Sequence, residues 1–256
     1  NHVESAGAVA RAGIHVLVEK PLALDSAGCA SIAAACADAG VVGAVAHVER
    51  FHTAIRNLRD ATVSGGLGVI EQVKTIRLSS PSRRHDGGGV LLDLGIHDFD
   101  VIAWMTERSI DIPSIRAHLL DGPWSTSARV TTELTDGTAT ETSVSYSLGR
   151  RSRICVVKGS TGTRTADTSV LDPREPDPLT MQLEAFCDNI VGRRRHGDLA
   201  SLRDGGSRRQ CGYGGVQAGR RGVRITADRR PRLIRPPNPG CRRTTGAEPS
   251  AAFQDS

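Results

Sequence analysis

The sequence predicts an α/β protein: part of a doubly wound parallel sheet, then an α+β region built on a large, mainly antiparallel open sheet. Three observations carry that reading. Two wholly apolar, β-branched runs, IHVLVEK (14–20) and VVGAVAHV (41–48), alternate with Ala-rich helical stretches through short connections. Parallel sheets need this order, because crossover helices must cover strands that would otherwise expose both faces. From about residue 53 the pattern changes to segments with period-two alternation, which suits antiparallel strands. Finally, with 38% hydrophobic and 24% charged residues over 256 positions, the chain is too apolar for a disordered tail. It also has no apolar run long enough to span a membrane.

Each element follows from local signals. HVESAGAVARA (2–12) reads as a short helix stopped by Gly13, and the strand 14–20 follows as one buried on both faces. After Pro21, Asp25 and Ser26 are N-cap candidates for an Ala-rich helix to Ala39, stopped by Gly40. The run 41–48 is the second buried strand. A helix over 52–65, a strand over 70–79 and a helix from about Leu91 to Thr106 come next. SIRAHLL, SARVTTELTDG, TATETSVSYSL and RSRICVVKGS then supply the antiparallel strands. LTMQLEAFCDNIVG (179–192) is an amphipathic helix whose Leu179, Leu183, Phe186 and Ile190 form the expected core face.

The net charge of +5 is unevenly placed. Residues 1–200 are net −3, while residues 201–256 hold 12 Arg against 4 acids, net +8. A phosphate-tracking groove needs aromatics among its cations, and the chain is only 3% aromatic, so nucleic acid is not expected as a partner. Gly and Pro make up 14 of the last 56 residues, and no periodicity survives there. The Arg/Gly/Pro-rich tail 201–256 is therefore expected to be disordered, or to come from a shifted reading frame beginning near residue 205. The six cysteines (Cys29, Cys36, Cys155, Cys187, Cys211, Cys241) have no metal-ligand spacing. No secretory signal precedes them, so they are expected as buried reduced thiols of a cytoplasmic protein.

Two clusters can carry chemistry. Glu19-Lys20-Pro21 ends the first strand, where open parallel sheets place their ligands. A lysine there can donate to a substrate hydroxyl or stabilise an oxyanion. An isolated EKP is also what a strand reaching solvent looks like. The denser cluster is GGGVLLDLGIHDFDVIAWM (87–105), in which Asp93 and His97 are four apart on one helical face. That spacing suits an orienting carboxylate and an imidazole base that takes a hydroxyl proton as hydride leaves the same carbon. Asp100, three residues on, is a second possible partner, and a capped helix with a solvated acidic face is the plain alternative. No third ligand accompanies Asp93 and His97, so no metal is expected.

HVLVEKPLA followed by GGVLLDLGIHDFDVIAWM resembles the Gfo/Idh/MocA oxidoreductases, relatives of glucose-fructose oxidoreductase and inositol 2-dehydrogenase. The likeness covers roughly residues 1–200. It implies a Rossmann domain binding NAD or NADP, and a substrate domain whose open sheet makes a homo-oligomer. It implies Lys20, Asp93 and His97 as the catalytic group, with Glu19, Lys20 and Pro21 beside the nicotinamide, and Arg50, Asp93, His97 and Asp100 facing the substrate. The substrate it implies is a sugar, nucleotide sugar or polyol with a secondary hydroxyl. HVERFHTAI (47–55) is similar to the HxERFNPA segment of enzymes that oxidise UDP-N-acetyl amino sugars, with His52 in place of Asn and Thr53 in place of Pro.

On this reading residues 1–48 are the C-terminal half of the dinucleotide-binding domain, and residues 49–200 the substrate and oligomerisation domain. No strand–GxGxxG–helix occurs anywhere in the sequence. The phosphate-binding half is thus expected before residue 1, and the chain as it stands is expected to bind dinucleotide poorly and to be sparingly soluble. The alternative is a non-catalytic member that serves as an oligomerising or binding module.

Overall fold

A computed structural model of the protein describes residues 2–80, 89–119, 126–147, 149, 151–192, 200 and 201. The tail beyond Ser201, with Cys211 and Cys241, lies outside the described residues. So does most of the glycine-rich stretch at 86–89.

The N-terminal unit follows the sequence closely. Helix α1 (His2–Arg11), strand β1 (Val16–Glu19), helix α2 (Ser26–Asp38) and strand β2 (Gly43–Ala46) occur in that order. β1 and β2 are parallel, with Glu19 opposite Ala46. Asp25, extended at φ −145°, caps α2 by accepting the Gly28 amide at 2.7 Å. Gly28 lets α1 approach α2 closely: a Cβ there would lie 2.8 Å from Ala23 Cβ and 2.9 Å from Val3 Cγ2. Cys29, Ile32 and Cys36 of α2 fill the core with Ala6, Ala10, Val18 and Val45.

β2 is buried at all four positions, but β1 is not. Among the described strands, in the order β1-β2-β9, it lies at the edge, and of its residues only Val18 is fully covered, while Ile14, two residues before the strand, is exposed. The expectation of a strand buried on both faces thus holds for β2 and fails for β1. The third strand, β9 (Ala200–Ser201), returns from the far end of the described chain and pairs antiparallel with β2.

A 3-10 turn (Val48–Phe51) leads into helix α3 (Thr53–Val63) and strand β3 (Ile70–Ser79). Next come a π-helical turn (Leu91–Gly95), helix α4 (Ile96–Thr106), and strands β4 (Ile110–Leu119), β5 (Ser127–Leu134), β6 (Ala139–Tyr146), β7 (Ser152–Gly159) and β8 (Gly162–Asp167). The second sheet has the order β4-β5-β6-β3-β7-β8. Its β3–β6 pair is parallel and its other neighbours are antiparallel. Val73 and Val157 of one face pack on Ile55 and Leu58 of α3 and on Val101, Ile102 and Met105 of α4. On the opposite face Lys74 and Ile76 are exposed.

Helix α5 (Pro178–Ile190), capped by Asp177, corrects the sequence reading. Leu179 and Leu183 are about half exposed, and the residues turned inward are Gln182 and Ala185. Ala185 packs against Ala44 and Phe51, with Met181 and Phe186 at its margin. A small residue is needed where the helix lies close on the 3-10 turn Val48–Phe51, so packing distance overrides the hydrophobic period. Cys29, Cys36 and Cys155 are buried as expected, but Cys187 on α5 is exposed. Among the described residues no helix is long and apolar enough to cross a membrane.

Candidate active site

The candidate site forms where Lys20, at the carboxyl end of β1, meets Asp93 of the π-helical turn and Tyr146 at the end of β6. Lys20 follows β1 directly and His47 follows β2, so the parallel register brings both to the same edge. The peptide between Lys20 and Pro21 is cis. Glu19 is exposed and Pro21 half-buried at this edge.

Lys20 spans 73 residues of sequence to reach Asp93. Its Nζ donates to the Asp93 carbonyl at 2.7 Å and to Oδ1 at 3.1 Å. The other carboxylate oxygen, Oδ2, accepts from the Tyr146 hydroxyl at 3.1 Å. Burial, together with the facing carboxylate, pushes the phenol above its usual range. Tyr146 is a member of this group that sequence reasoning missed: it closes an alternating strand, and nothing local marks it.

His97 is one turn further along, at the start of α4. Its Nδ1 is buried and has no hydrogen-bond partner among the described residues. Burial and the nearby Arg77 charge pull the imidazole well below its ordinary pKa, so it is neutral at physiological pH. Lys20 and His47 act on it in the same sense and Glu49 in the opposite one. Asp93 and His97 flank the boundary between the π turn and the α-helix, a kind of irregularity often found at functional sites. The expected pairing of Asp93 with the imidazole is not what is seen: its carboxylate is engaged by Lys20 and Tyr146.

Arg50 and Asp100 are brought together, but with each other. Arg50 donates through Nε at 2.8 Å and Nη2 at 2.6 Å to the two oxygens of Asp100, and both residues are 4% exposed. Such a fork-to-fork pair is among the strongest neutralising contacts a protein makes. His47 Nε2 lies 3.5 Å from Asp100 Oδ1, and burial lowers its pKa to about 4. The pair thus sits in the interior behind His47 rather than on the cleft wall.

A second buried network underlies α4. Arg77 on β3 holds Asp98 through Nε and Nη2 at 3.0 Å and Glu49 through Nη1 at 3.0 Å. Arg153 on β7 reaches Glu49 at 3.0 Å, and Arg77 and Arg153 are register partners across β3 and β7. Burial alone would raise the Glu49 carboxyl, but the cations around it, Arg77 foremost, hold it well below the usual range. Sequence reasoning missed Glu49, Arg77 and Asp98, although the VERF and HDFD segments contain two of them. A cavity of about 280 Å³ opens beside His52 and Thr168, both of which contact Glu49 at 3.8 and 3.5 Å.

Comparison with known proteins agrees with this architecture. Residues 33–165 match the profile of the GFO/IDH/MocA C-terminal domain. Residues 1–47 match that of the oxidoreductase family's NAD-binding Rossmann fold. The chain is similar to myo-inositol dehydrogenase Hyg17 of Streptomyces leeuwenhoekii, 34% identical over 113 residues, covering 43% of this chain and 35% of that protein. It is similar to UDP-N-acetylglucosamine 3-dehydrogenase of Acidithiobacillus ferrooxidans, 30% identical over 115 residues, covering 44% and 36%. The chain therefore spans about a third of the length of these curated relatives. The crystal structure of GenD2 from gentamicin A biosynthesis, in complex with NAD, shares the fold with a TM-score of 0.67 and 24% identity, covering 76% of this chain and 67% of that one.

Proposed function

The chain belongs to the GFO/IDH/MocA family of oxidoreductases, and on that premise we propose that it transfers a hydride between a nicotinamide dinucleotide and a secondary hydroxyl of a sugar, nucleotide sugar or polyol. The observation that carries the reading is the Lys20–Asp93 contact at the carboxyl end of β1, with the unpaired His97 nitrogen beside it. The EKP and DLGIH motifs support the reading, because their Lys20 and Asp93 are in contact.

The cofactor that goes with residues 1–47 is of the NAD type. The residues present fit its reactive end. Glu19, Lys20 and Pro21 leave the carboxyl edge of the parallel β1–β2 pair, where such sheets place their ligands. When bound, the nicotinamide supplies the hydride acceptor or donor. The protein supplies orientation and proton handling. Lys20, an ammonium with side chain 18% exposed, has a donor to offer the substrate oxygen and stabilises negative charge as the proton leaves. His97, neutral because it is buried and close to Arg77, is the base that takes that proton. Asp93 holds Lys20 in place, and Arg50 and Asp100 support His47 behind the cleft.

Two relatives bear on the substrate: one is described as an inositol dehydrogenase and the other as a nucleotide-sugar 3-dehydrogenase. Neither is described as a non-catalytic module. The face of the second sheet that no described helix covers, with Ile76 exposed, is the proposed surface for a homo-oligomer, tested by light scattering on the purified protein. The function is tested by following reduced dinucleotide with myo-inositol, scyllo-inositol, simple sugars and UDP-N-acetyl sugars. In a protein that carries the phosphate-binding half as well, turnover of at least one, abolished by His97→Ala, is expected. Dinucleotide binding without turnover of any of them would remove the reading.

A further inference from the structure

We infer that Tyr146 is a positioning residue for the Lys20–Asp93 pair, its hydroxyl fixing the Asp93 carboxylate so that the opposite oxygen stays on the Lys20 ammonium. This rests on the reading that Lys20 polarises the substrate oxygen.

A carboxylate is free to swing, because its terminal torsion is broad and shallow. It accepts hydrogen bonds on two oxygens. In this cleft one donor sits on each: Lys20 Nζ on Oδ1 and the Tyr146 hydroxyl on Oδ2, both at 3.1 Å. With Oδ2 tethered, the carboxylate plane has one orientation in which Oδ1 meets the ammonium. With it released, Lys20 keeps only the Asp93 carbonyl, at 2.7 Å, and the charge opposite it can turn away.

The tether comes from a rigid element. Tyr146 ends β6, where it pairs with Ser79 of β3 in parallel register. Its ring packs against the Val90, Leu91, Leu94 and Val144 cluster. The phenol therefore reaches Asp93 from a strand and a packed ring, as precise positioning requires. Because the donor is neutral, it orders the pair without altering its charge balance, which a cationic residue at this place would do. Thus the larger sheet, distant in sequence from the EKP strand, sets the geometry of that strand's lysine.

The chain's only lysines are Lys20, Lys74 and Lys158, so reductive methylation with a carbon-13 label gives three side-chain signals, with Lys20 assigned through Lys20→Arg. Tyr146→Phe keeps the ring packing and removes the hydroxyl alone. The expected result is a moved Lys20 signal, with the Lys74 and Lys158 signals in place. In turnover, Tyr146→Phe should lower kcat roughly tenfold, the size of one hydrogen bond to a charged group, with KM changed less than about twofold. Adding it to Asp93→Asn should cost nothing further. An unmoved Lys20 signal in folded Tyr146→Phe, or additive losses in the double variant, would overturn the inference. If the unaltered protein turns over none of the substrates, the oxidoreductase reading falls, while the lysine signals still decide whether Tyr146 holds the pair.

Discussion

Lys20 and Asp93 pair at 3.1 Å with side chains 18% and 29% exposed, whereas Arg77 and Glu49 pair at 3.0 Å with side chains 5% and 3% exposed. The distances match, but the surroundings do not. In the cleft, either partner can exchange a protein contact for a ligand contact at small cost, because water screens what is left behind. Under α4, removing one partner strands a charge in the interior, where its desolvation goes uncompensated. The first group is the one proposed to meet a substrate, and the second holds the helix that carries His97. His97 lies within reach of both, feeling Arg77 and Glu49 from the buried network and Lys20 from the cleft.

That contrast can be broken by substitution. The largest effect is expected from Arg77→Ala, which leaves Asp98 without its guanidinium and Glu49 with Arg153. The loss should be about 3–5 kcal/mol of unfolding free energy, read by urea denaturation. A loss below about 1 kcal/mol would mean that the buried network relaxes or hydrates as the cleft does. His97→Ala comes next. Turnover should fall about 10²- to 10⁴-fold with dinucleotide binding nearly unchanged, and retained turnover would take the base role from His97.

Acid sharpens the difference between the regions. His47 is neutral in the folded chain down to about pH 4, but takes a proton near pH 6.5 when unfolded. Its contribution is therefore complete above about pH 6.5 and falls as the pH drops toward 4, by on the order of 3 kcal/mol. Glu49, whose folded carboxyl is held low, adds to acid loss in the same direction at still lower pH. Urea midpoints at pH 7 and pH 4.5 should thus differ clearly, and His47→Gln should flatten the difference. An unchanged slope in that variant would place the acid sensitivity elsewhere. The smallest effect is expected at the exposed Lys158–Glu71 pair, 59% and 45% exposed. Lys158→Ala should change stability by less than about 1 kcal/mol, and a larger loss would show that exposure does not set the scale.

Much of the fold was legible beforehand because its signals are local. The Asp25 cap, the Gly13 and Gly40 stops and the period-two run at 70–79 each depend on neighbours within a few residues, and each element appears where they put it. α5 was misread because the hydrophobic period counts side chains but not distances. Ala185 joins Phe51 and Ala44 in the core where the helix lies close on the 3-10 turn, and Leu179 and Leu183 are left outside. Lys20, Asp93 and His97 could be singled out because EKP and DLGIH are contiguous motifs. Tyr146 could not, being 53 residues from Asp93 with an ordinary strand around it.

By itself, then, the sequence determined the order and type of the elements, the two parallel strands, the motifs at the cleft and the family resemblance they carry. Those follow from backbone preferences and burial patterns that act along the chain. Only the tertiary structure decided which charge faces which: that Arg50 takes Asp100, that Arg77 joins Glu49 to Asp98, and that Tyr146 completes the Lys20–Asp93 pair. Those pairings depend on strand register and helix placement across 21 to 73 residues, and no periodicity within the sequence encodes them.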